Sequence, residues 1–128
     1  YKAKIINYLK EHNFEYEDMG TYTTESCDYP IIAQKVAKKV VSGEADKGIL
    51  ICGTGIGMSI AANKVKGIRA ALCSDTFSAK ATRAHNNSNI LCLGQRAIGE
   101  CLALDIVDVW LHTEFEGGRH QRRIDEIE

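Results

Sequence analysis

Residues 48–64 constrain the fold more than any other part of this chain. The stretch opens with an apolar run that ends at Cys52, continues with three glycines at alternate positions, and passes into an alanine-rich helical pattern. Such a run is typical of a buried strand, and the glycines predict a loop without side-chain bulk. The helix that follows would point its N-terminus back at the strand end. Its free N–H groups and dipole predict an anion-binding site with a thiol at the edge.

Helical and strand patterns alternate along the rest of the chain. The strands are continuous apolar runs, which is typical of a parallel sheet covered by helices on both faces, so the predicted fold class is α/β with three layers. Ligands of such folds bind at the carboxyl ends of the strands. We therefore expect Cys52, Asp75, the turn at His85, Gly94 and Arg96 to gather there. Helices are predicted over 1–12, 29–41 (capped by Asp28), 56–66, 76–84 and 99–112 and after Gly118, and strands over 14–19, 48–52, 68–73 and 90–93.

Length and composition bound the class of protein. A chain of 128 residues fits one domain, 1–128, and a net charge of -1 gives no reason to expect nucleic acid or an anionic membrane as partner. No apolar run has the length of a membrane span. Five cysteines without Cys-x-x-Cys spacing argue against a disulfide framework and a zinc site, and they indicate a reducing, cytoplasmic location. The spacing of potential ligands predicts no metal.

The glycine loop does not match the nucleotide-binding motifs. The dinucleotide fingerprint Gly-x-Gly-x-x-Gly would need a glycine where Met58 stands, although Asp75 lies where a ribose-binding acid would. A phosphate-binding P-loop is excluded because no Gly-Lys-Ser/Thr follows. Dinucleotide binding is thus disfavoured, while a non-catalytic sugar-phosphate or nucleotide-binding module remains an alternative.

Individual polar residues allow two interpretations each. Cys52 is either a small buried side chain or a reactive thiol, since a helix N-terminus favours the thiolate. His85 is either a helix-terminal residue favoured by the dipole or a functional group. Arg119 and Arg123, one helical turn apart, form either a solvated basic tail or a phosphate clamp. The remaining cysteines of the strand and helix patterns are predicted to be buried: Cys73, Cys92 and Cys101.

Five motifs point to a known family: 51–64, 67–70, 85–86, 94–96 and 116–120. They closely resemble the B-type ribose-5-phosphate isomerases, relatives of galactose-6-phosphate and allose-6-phosphate isomerases. The resemblance implies a five-stranded Rossmann-like fold, a metal-independent reaction without cofactors, and a homodimer or homotetramer. It also implies an active site at the subunit interface and a C-terminal helix, from about 118, that packs on a partner subunit. Family members open with a further strand that precedes Tyr1, and we expect this strand to be missing from the sequence rather than from the protein.

The resemblance also implies roles for single residues. Cys52 would be the base that moves a proton between C1 and C2 of the sugar, and His85 would open the furanose ring. A branch of the family uses a glutamate base at the position of Met58, so the cysteine branch fits this chain. The resemblance also implies that Thr54 is a catalytic residue. The loop 53–57 would stabilise the enediolate, and the remaining implied positions bind substrate (Gly53, Gly55, Ile56, Gly57, Asn86 and Tyr29) or its phosphate (Arg96, Arg119 and Arg123).

The resemblance thus implies an aldose–ketose isomerase of the pentose phosphate pathway that interconverts ribose 5-phosphate and ribulose 5-phosphate. A proton next to a carbonyl is weakly acidic, so its removal needs a placed base and donors for the enediolate oxygens. The arginines would hold the phosphate and orient the reacting carbons. Galactose 6-phosphate and allose 6-phosphate remain alternative substrates.

Overall fold

The structure is a computed structural model that describes residues 1–20 and 29–128. Between residues 48 and 112, strands and helices alternate as the sequence predicts. The strands are β1 (Gly48–Cys52), β2 (Ala70–Leu72) and β3 (Ile90–Gly94). The helices are α1 (Lys2–Glu11), α2 (Tyr29–Val41), α3 (Ile56–Asn63), α4 (Thr76–Asn86), α5 (Glu100–His112) and α6 (Arg119–Ile127).

The three strands form one parallel sheet in the order β1-β3-β2. The central strand β3 is buried along its whole length, because it has a neighbouring strand on each side and helices on both faces. Cys52 pairs with Gly94 and Leu72 with Cys92, so the strands end together at one edge. We call this the carboxyl edge, and the opposite one the amino edge.

Two apolar clusters cover the sheet, one on each face. Leu50, Ile90 and Cys92 face α2 and α3, whereas Leu91 and Leu93, from the alternate positions of β3, face α1, α4 and α5. Trp110 of α5 is fully buried against the second cluster. The predicted three-layer α/β arrangement is therefore confirmed.

Some predicted boundaries were wrong. Residues 14–19 form no strand, because no described strand offers a ladder to them; instead Glu17 pairs with Lys39 and Asp18 with Lys2. Helix α3 ends at Asn63 rather than at 66. The Asn63 side-chain amide donates to the Ala70 carbonyl and accepts from the Ala70 N–H. Strand β2 is shorter than 68–73. The capping prediction for Asp28 lies outside the described residues, whereas Asp75 does cap α4 by accepting the Ser78 N–H.

Helix α6 packs inward against its own chain. Its buried residues are His120 and Ile124, and it lies beside α4. Across the described ranges, no helix has the length and apolar character needed to cross a membrane.

Candidate functional site

The loop after β1 places a backbone N–H group on the Cys52 sulfur. Gly55 is the N-cap residue of α3 and lies in the left-handed region at φ 80°, and its N–H donates to Cys52 Sγ at 3.1 Å. A donated N–H stabilises negative charge on sulfur. Thr54 Oγ1 accepts the Ile56 N–H at 3.2 Å, and no described side chain accepts from the N–H groups of Gly57 or Met58. The turn therefore offers free donors to an anion beside a half-buried thiol.

The neighbouring strand end holds this loop in place. Gln95 N–H donates to the Cys52 carbonyl and Arg96 N–H to the Gly53 carbonyl, each at 2.9 Å. A Cβ at Gly94 would lie 2.4 Å from the Thr54 carbonyl oxygen, so only glycine permits this approach. The sequence predicted that Gly94 lies at the carboxyl ends of the strands, as the structure shows, but it gave Gly94 no role in the site.

Two further predicted residues lie at this edge. The Tyr29 ring covers the first turn of α3, since a Cβ at Gly57 would lie 2.5 Å from its Cε1. The Arg96 side chain runs along Gly53, where an added Cβ would meet its Cδ at 3.4 Å. The structure thus brings together the predicted residues Cys52, Gly53, Thr54, Gly55, Ile56, Gly57, Tyr29 and Arg96 at the carboxyl edge.

The cysteines differ sharply in their surroundings. Burial raises the pKa of the Cys73 thiol to about 11 and that of the Cys92 thiol to about 12. Both are buried as predicted, but Cys101 is exposed, because it lies on the outer side of α5. The prediction that Cys101 is buried was therefore wrong.

We expect iodoacetamide at neutral pH to label Cys101 and Cys52 and to leave Cys73 and Cys92 unmodified. The thiolate is the reactive form, and burial raises the pKa of the Cys73 and Cys92 thiols. Mass spectrometry of peptides from native protein measures the labelling at each position. Protein unfolded in guanidinium serves as the control, in which these four thiols, and Cys27 as the fifth of the chain, should all react. Native labelling of Cys92 as fast as that of Cys101 would contradict the structure.

His85 does not lie beside Cys52 in this chain. Helix α4 starts after β2 at the carboxyl edge and runs back toward the start of β3, which places His85 in its last turn at the amino edge. Arg69, just before β2, contacts the following turn, since its Nε donates to the Asn87 carbonyl at 2.9 Å. Five-residue strands rise about 3.3 Å per residue, so the two edges are about 13 Å apart. The expectation that the His85 turn joins Cys52 was wrong within one chain.

A second polar cluster surrounds His85. Its ring stacks on that of His120 with centroids 4.3 Å apart, and Glu116 Oε1 lies 3.8 Å from His85 Nε2 and 3.6 Å from His120 Nε2. Burial, His85 and the arginines of α6 hold the pKa of His120 below its usual range, while Glu116 opposes them. Arg119 and Arg123 project from the same helix and are exposed. The two arginines give this cluster positive charge and a fork of donors suited to a phosphate.

Glu116 and His120 were missed as individual site residues, although the glycine pair between them signalled an unusual helix start. Together with His85 they could hold a metal ion, because their ligand atoms all lie within 4.8 Å of one another. The expectation of no clustered ligands was therefore wrong. The chain places the arginines of α6 beside this cluster, and their charge raises the free energy of a cation there.

Asn86 opens onto a cavity of about 700 Å³ at the amino edge. Ser88 and Thr82 also line it, together with Ile127 and Glu128 at the end of α6. The predicted residues at this edge are thus His85, Asn86, Arg119 and Arg123, separate from the Cys52 group.

Comparison with known proteins gives one consistent result. The family model described as "Ribose/Galactose Isomerase" matches residues 1–127. A protein from Bacillus subtilis named "Putative sugar phosphate isomerase YwlF" is 62% identical over 127 residues, which are 98% of this chain and 85% of the relative. "Ribose-5-phosphate isomerase B" from Escherichia coli is 52% identical over 126 residues, which are 98% of this chain and 85% of the relative.

Solved structures agree in fold as well as in sequence. Ribose-5-phosphate isomerase B from Clostridium thermocellum superposes with a TM-score of 0.96 at 56% identity, covering 98% of this chain and 85% of that one. The enzyme from Mycoplasma genitalium, solved with bound ribulose-5-phosphate, superposes with a TM-score of 0.94 at 46% identity. The match covers 98% of this chain and 84% of that one.

Proposed function

Because this chain belongs to the ribose/galactose isomerase family, we propose that it interconverts ribose 5-phosphate and ribulose 5-phosphate. The observation that carries the proposal is the Cys52 thiol beside the open N-terminus of α3, with the Gly55 N–H on its sulfur. A base next to oriented N–H donors is what proton transfer at a carbon beside a carbonyl requires. The relatives named ribose-5-phosphate isomerase B support the same substrate.

In the proposed mechanism the Cys52 thiolate removes the proton on C2 of the open-chain aldose. The electron pair forms an enediolate, whose oxygens the N–H groups of the loop 53–57 stabilise, with Thr54 and Tyr29 lining the pocket. The thiol returns the proton to C1 while the hydroxyl proton moves from O2 to O1, which gives the ketose. His85 opens the furanose ring beforehand, Asn86 contacts the sugar, and Arg96, Arg119 and Arg123 hold the phosphate. These steps use protein groups only.

The separation of the two polar groups supports a site shared between subunits. A base must lie within hydrogen-bond reach of the proton that it removes, and the residue that opens the ring must reach the same sugar. Cys52 and His85 lie at opposite edges of their own sheet, and the length of the strands separates these edges by about 13 Å. In a homodimer, or a homotetramer built from such dimers, the carboxyl edge of one chain would face His85 of its partner.

Exposed apolar side chains support the same assembly. Ile56 and Ile60 of α3 are 51% and 58% exposed, and Phe77 at the start of α4 is 80% exposed. All three lie near the carboxyl edge, where a partner subunit would cover them together with the Cys52 loop. We propose that the outer side of α6 also packs on this partner.

We also propose that the protein is a cytoplasmic enzyme of the pentose phosphate pathway. Free thiols at Cys52, Cys73, Cys92 and Cys101 support a reducing compartment.

The proposed activity is tested by comparing kcat/KM for ribose 5-phosphate, allose 6-phosphate and galactose 6-phosphate. We expect ribose 5-phosphate to be preferred. Preference for a hexose phosphate would transfer the mechanism to that substrate, and binding without turnover of all three would favour a non-catalytic module.

We expect Arg123→Ala to raise KM for ribose 5-phosphate by about tenfold or more with a smaller change in kcat, because a charged hydrogen bond contributes about 1.5–3 kcal/mol. Steady-state kinetics measures both constants. Arg122→Ala is the matched control, since Arg122 is also exposed on α6 but has no proposed role. Equal KM values for the Arg123 variant and the wild type would remove Arg123 from the phosphate site.

A further inference from the structure

Arg83 is a buried cation that lies two residues before His85. The residue is only 7% exposed, and no carboxylate among the described residues forms an ion pair with its guanidinium. Burying a guanidinium without a counter-ion is unfavourable unless its N–H groups are satisfied. All of its hydrogen bonds go to neutral oxygens, so its position must depend on the geometry that these bonds impose.

The three hydrogen bonds of Arg83 join two segments that carry the amino-edge cluster. Nη1 donates to the Asn87 Oδ1 at 2.9 Å and to the Ser88 carbonyl at 2.6 Å, within the turn that ends α4. Nε donates to the Thr113 carbonyl at 3.3 Å, at the end of α5. The guanidinium therefore fixes the end of α4 to the chain that leads to Glu116.

Other contacts strengthen the same junction. Asn87 is in the left-handed region at φ 49°, and Trp110 Nε1 donates to Ser88 Oγ at 2.9 Å inside the core. The Glu116 N–H donates to the Ala84 carbonyl at 3.0 Å, directly beside His85. Helix ends otherwise lose their last hydrogen bonds easily, because the final carbonyls lack helical partners.

We propose that Arg83 is the positioning residue that holds His85 and Asn86 in place for the sugar. The inference rests on the proposed function of His85. Arg83 itself touches no substrate and acts through the last turn of α4. A displacement of about 1 Å at a reacting group costs about a hundredfold in rate, so loosening this turn should affect the step that His85 performs.

Two reactions distinguish a positioning role of Arg83 from an effect on protein stability alone. Conversion of ribose 5-phosphate requires ring opening, whereas exchange of the C1 proton of open-chain ribulose 5-phosphate with deuterated water requires only Cys52 and the loop. We expect Arg83→Met and Arg83→Lys to lower kcat for ribose 5-phosphate by about 10–100-fold and to lower the exchange rate far less. Lys keeps the charge but loses the planar fork of donors.

Lys80→Met is the matched control, because Lys80 is an exposed cation on the same helix and should leave both rates unchanged. Circular dichroism establishes that each variant is folded, and Arg83→Lys keeps the test open if Arg83→Met is not. Folded Arg83 variants with wild-type kcat would overturn the proposal, as would equal losses in both reactions.

The imidazole NMR signals of His85 provide a readout that does not depend on activity. We expect them to shift or broaden in Arg83→Lys and to remain unchanged in Lys80→Met. Unchanged His85 signals in both variants would refute the positioning role even if the wild type proved to act on a different sugar phosphate. Absence of wild-type turnover with shifted His85 signals would instead refute only the proposed function.

Discussion

Replacing Cys52 by alanine is expected to lower kcat for ribose 5-phosphate by about 10²–10⁴-fold, because a positioned general base contributes about that much. The thiol lies at the end of β1 with the Gly55 N–H on its sulfur. Alanine removes the base and leaves the loop donors and the phosphate site in place. KM should therefore change little, and steady-state kinetics measures both constants.

Proton exchange at C1 of ribulose 5-phosphate distinguishes Cys52 from His85. Cys52→Ala should lose exchange and isomerisation together, whereas His85→Asn should retain more of the exchange. Cys101→Ala is the matched control, since Cys101 is an exposed thiol on α5 without a proposed role. A Cys52→Ala enzyme with turnover within a few-fold of wild type would exclude this thiol as the base.

We expect Gly94→Ala to lower both stability and activity, because the new methyl group would meet backbone rather than a movable side chain. Its Cβ would lie 2.4 Å from the Thr54 carbonyl oxygen and 2.9 Å from the Thr54 Cα. Overpacking of this kind costs about 1–3 kcal/mol, and more where the backbone must move. Relief of the contact would push the Cys52 loop away from β3, so kcat should fall even in molecules that remain folded.

Gly99→Ala is the control for this change. A Cβ at Gly99 meets nothing within 4 Å, and its φ of -75° suits any residue. Urea denaturation measures the free energy of unfolding for both variants, and kinetics measures kcat. A Gly94→Ala protein as stable and active as Gly99→Ala would show that the loop does not depend on this close approach.

The local pattern of the sequence was sufficient to predict the sheet and the Cys52 loop. Apolar runs such as Ile90–Leu93 indicate buried parallel strands because helices must cover both faces, and the structure has this arrangement. The alternating apolar and acidic residues of 14–19 suggested a strand, but strand formation needs a partner ladder that local pattern does not contain. The end of α3 at Asn63 also depends on a contact outside the helix, the hydrogen bonds of its amide with Ala70.

The composition of the candidate site was harder to predict than the fold. The residues from Cys52 to Gly57 are consecutive, so one loop brings them together, and their grouping could be predicted directly. The position of His85 depends on the direction in which α4 crosses the sheet, and that direction separates it from Cys52. Glu116 and His120 approach His85 only because α6 packs beside α4. No spacing rule along the chain contains that contact.

The central claim, that one active site needs Cys52 from one subunit and His85 from its partner, is tested most directly by mixing two inactive variants. Cys52→Ala and His85→Asn proteins are unfolded together, refolded as an equal mixture and assayed with ribose 5-phosphate. Random pairing in a two-fold dimer makes half of the dimers mixed, each with one intact shared site, so about a quarter of wild-type activity should return. A refolded mixture no more active than either variant alone would contradict a shared site.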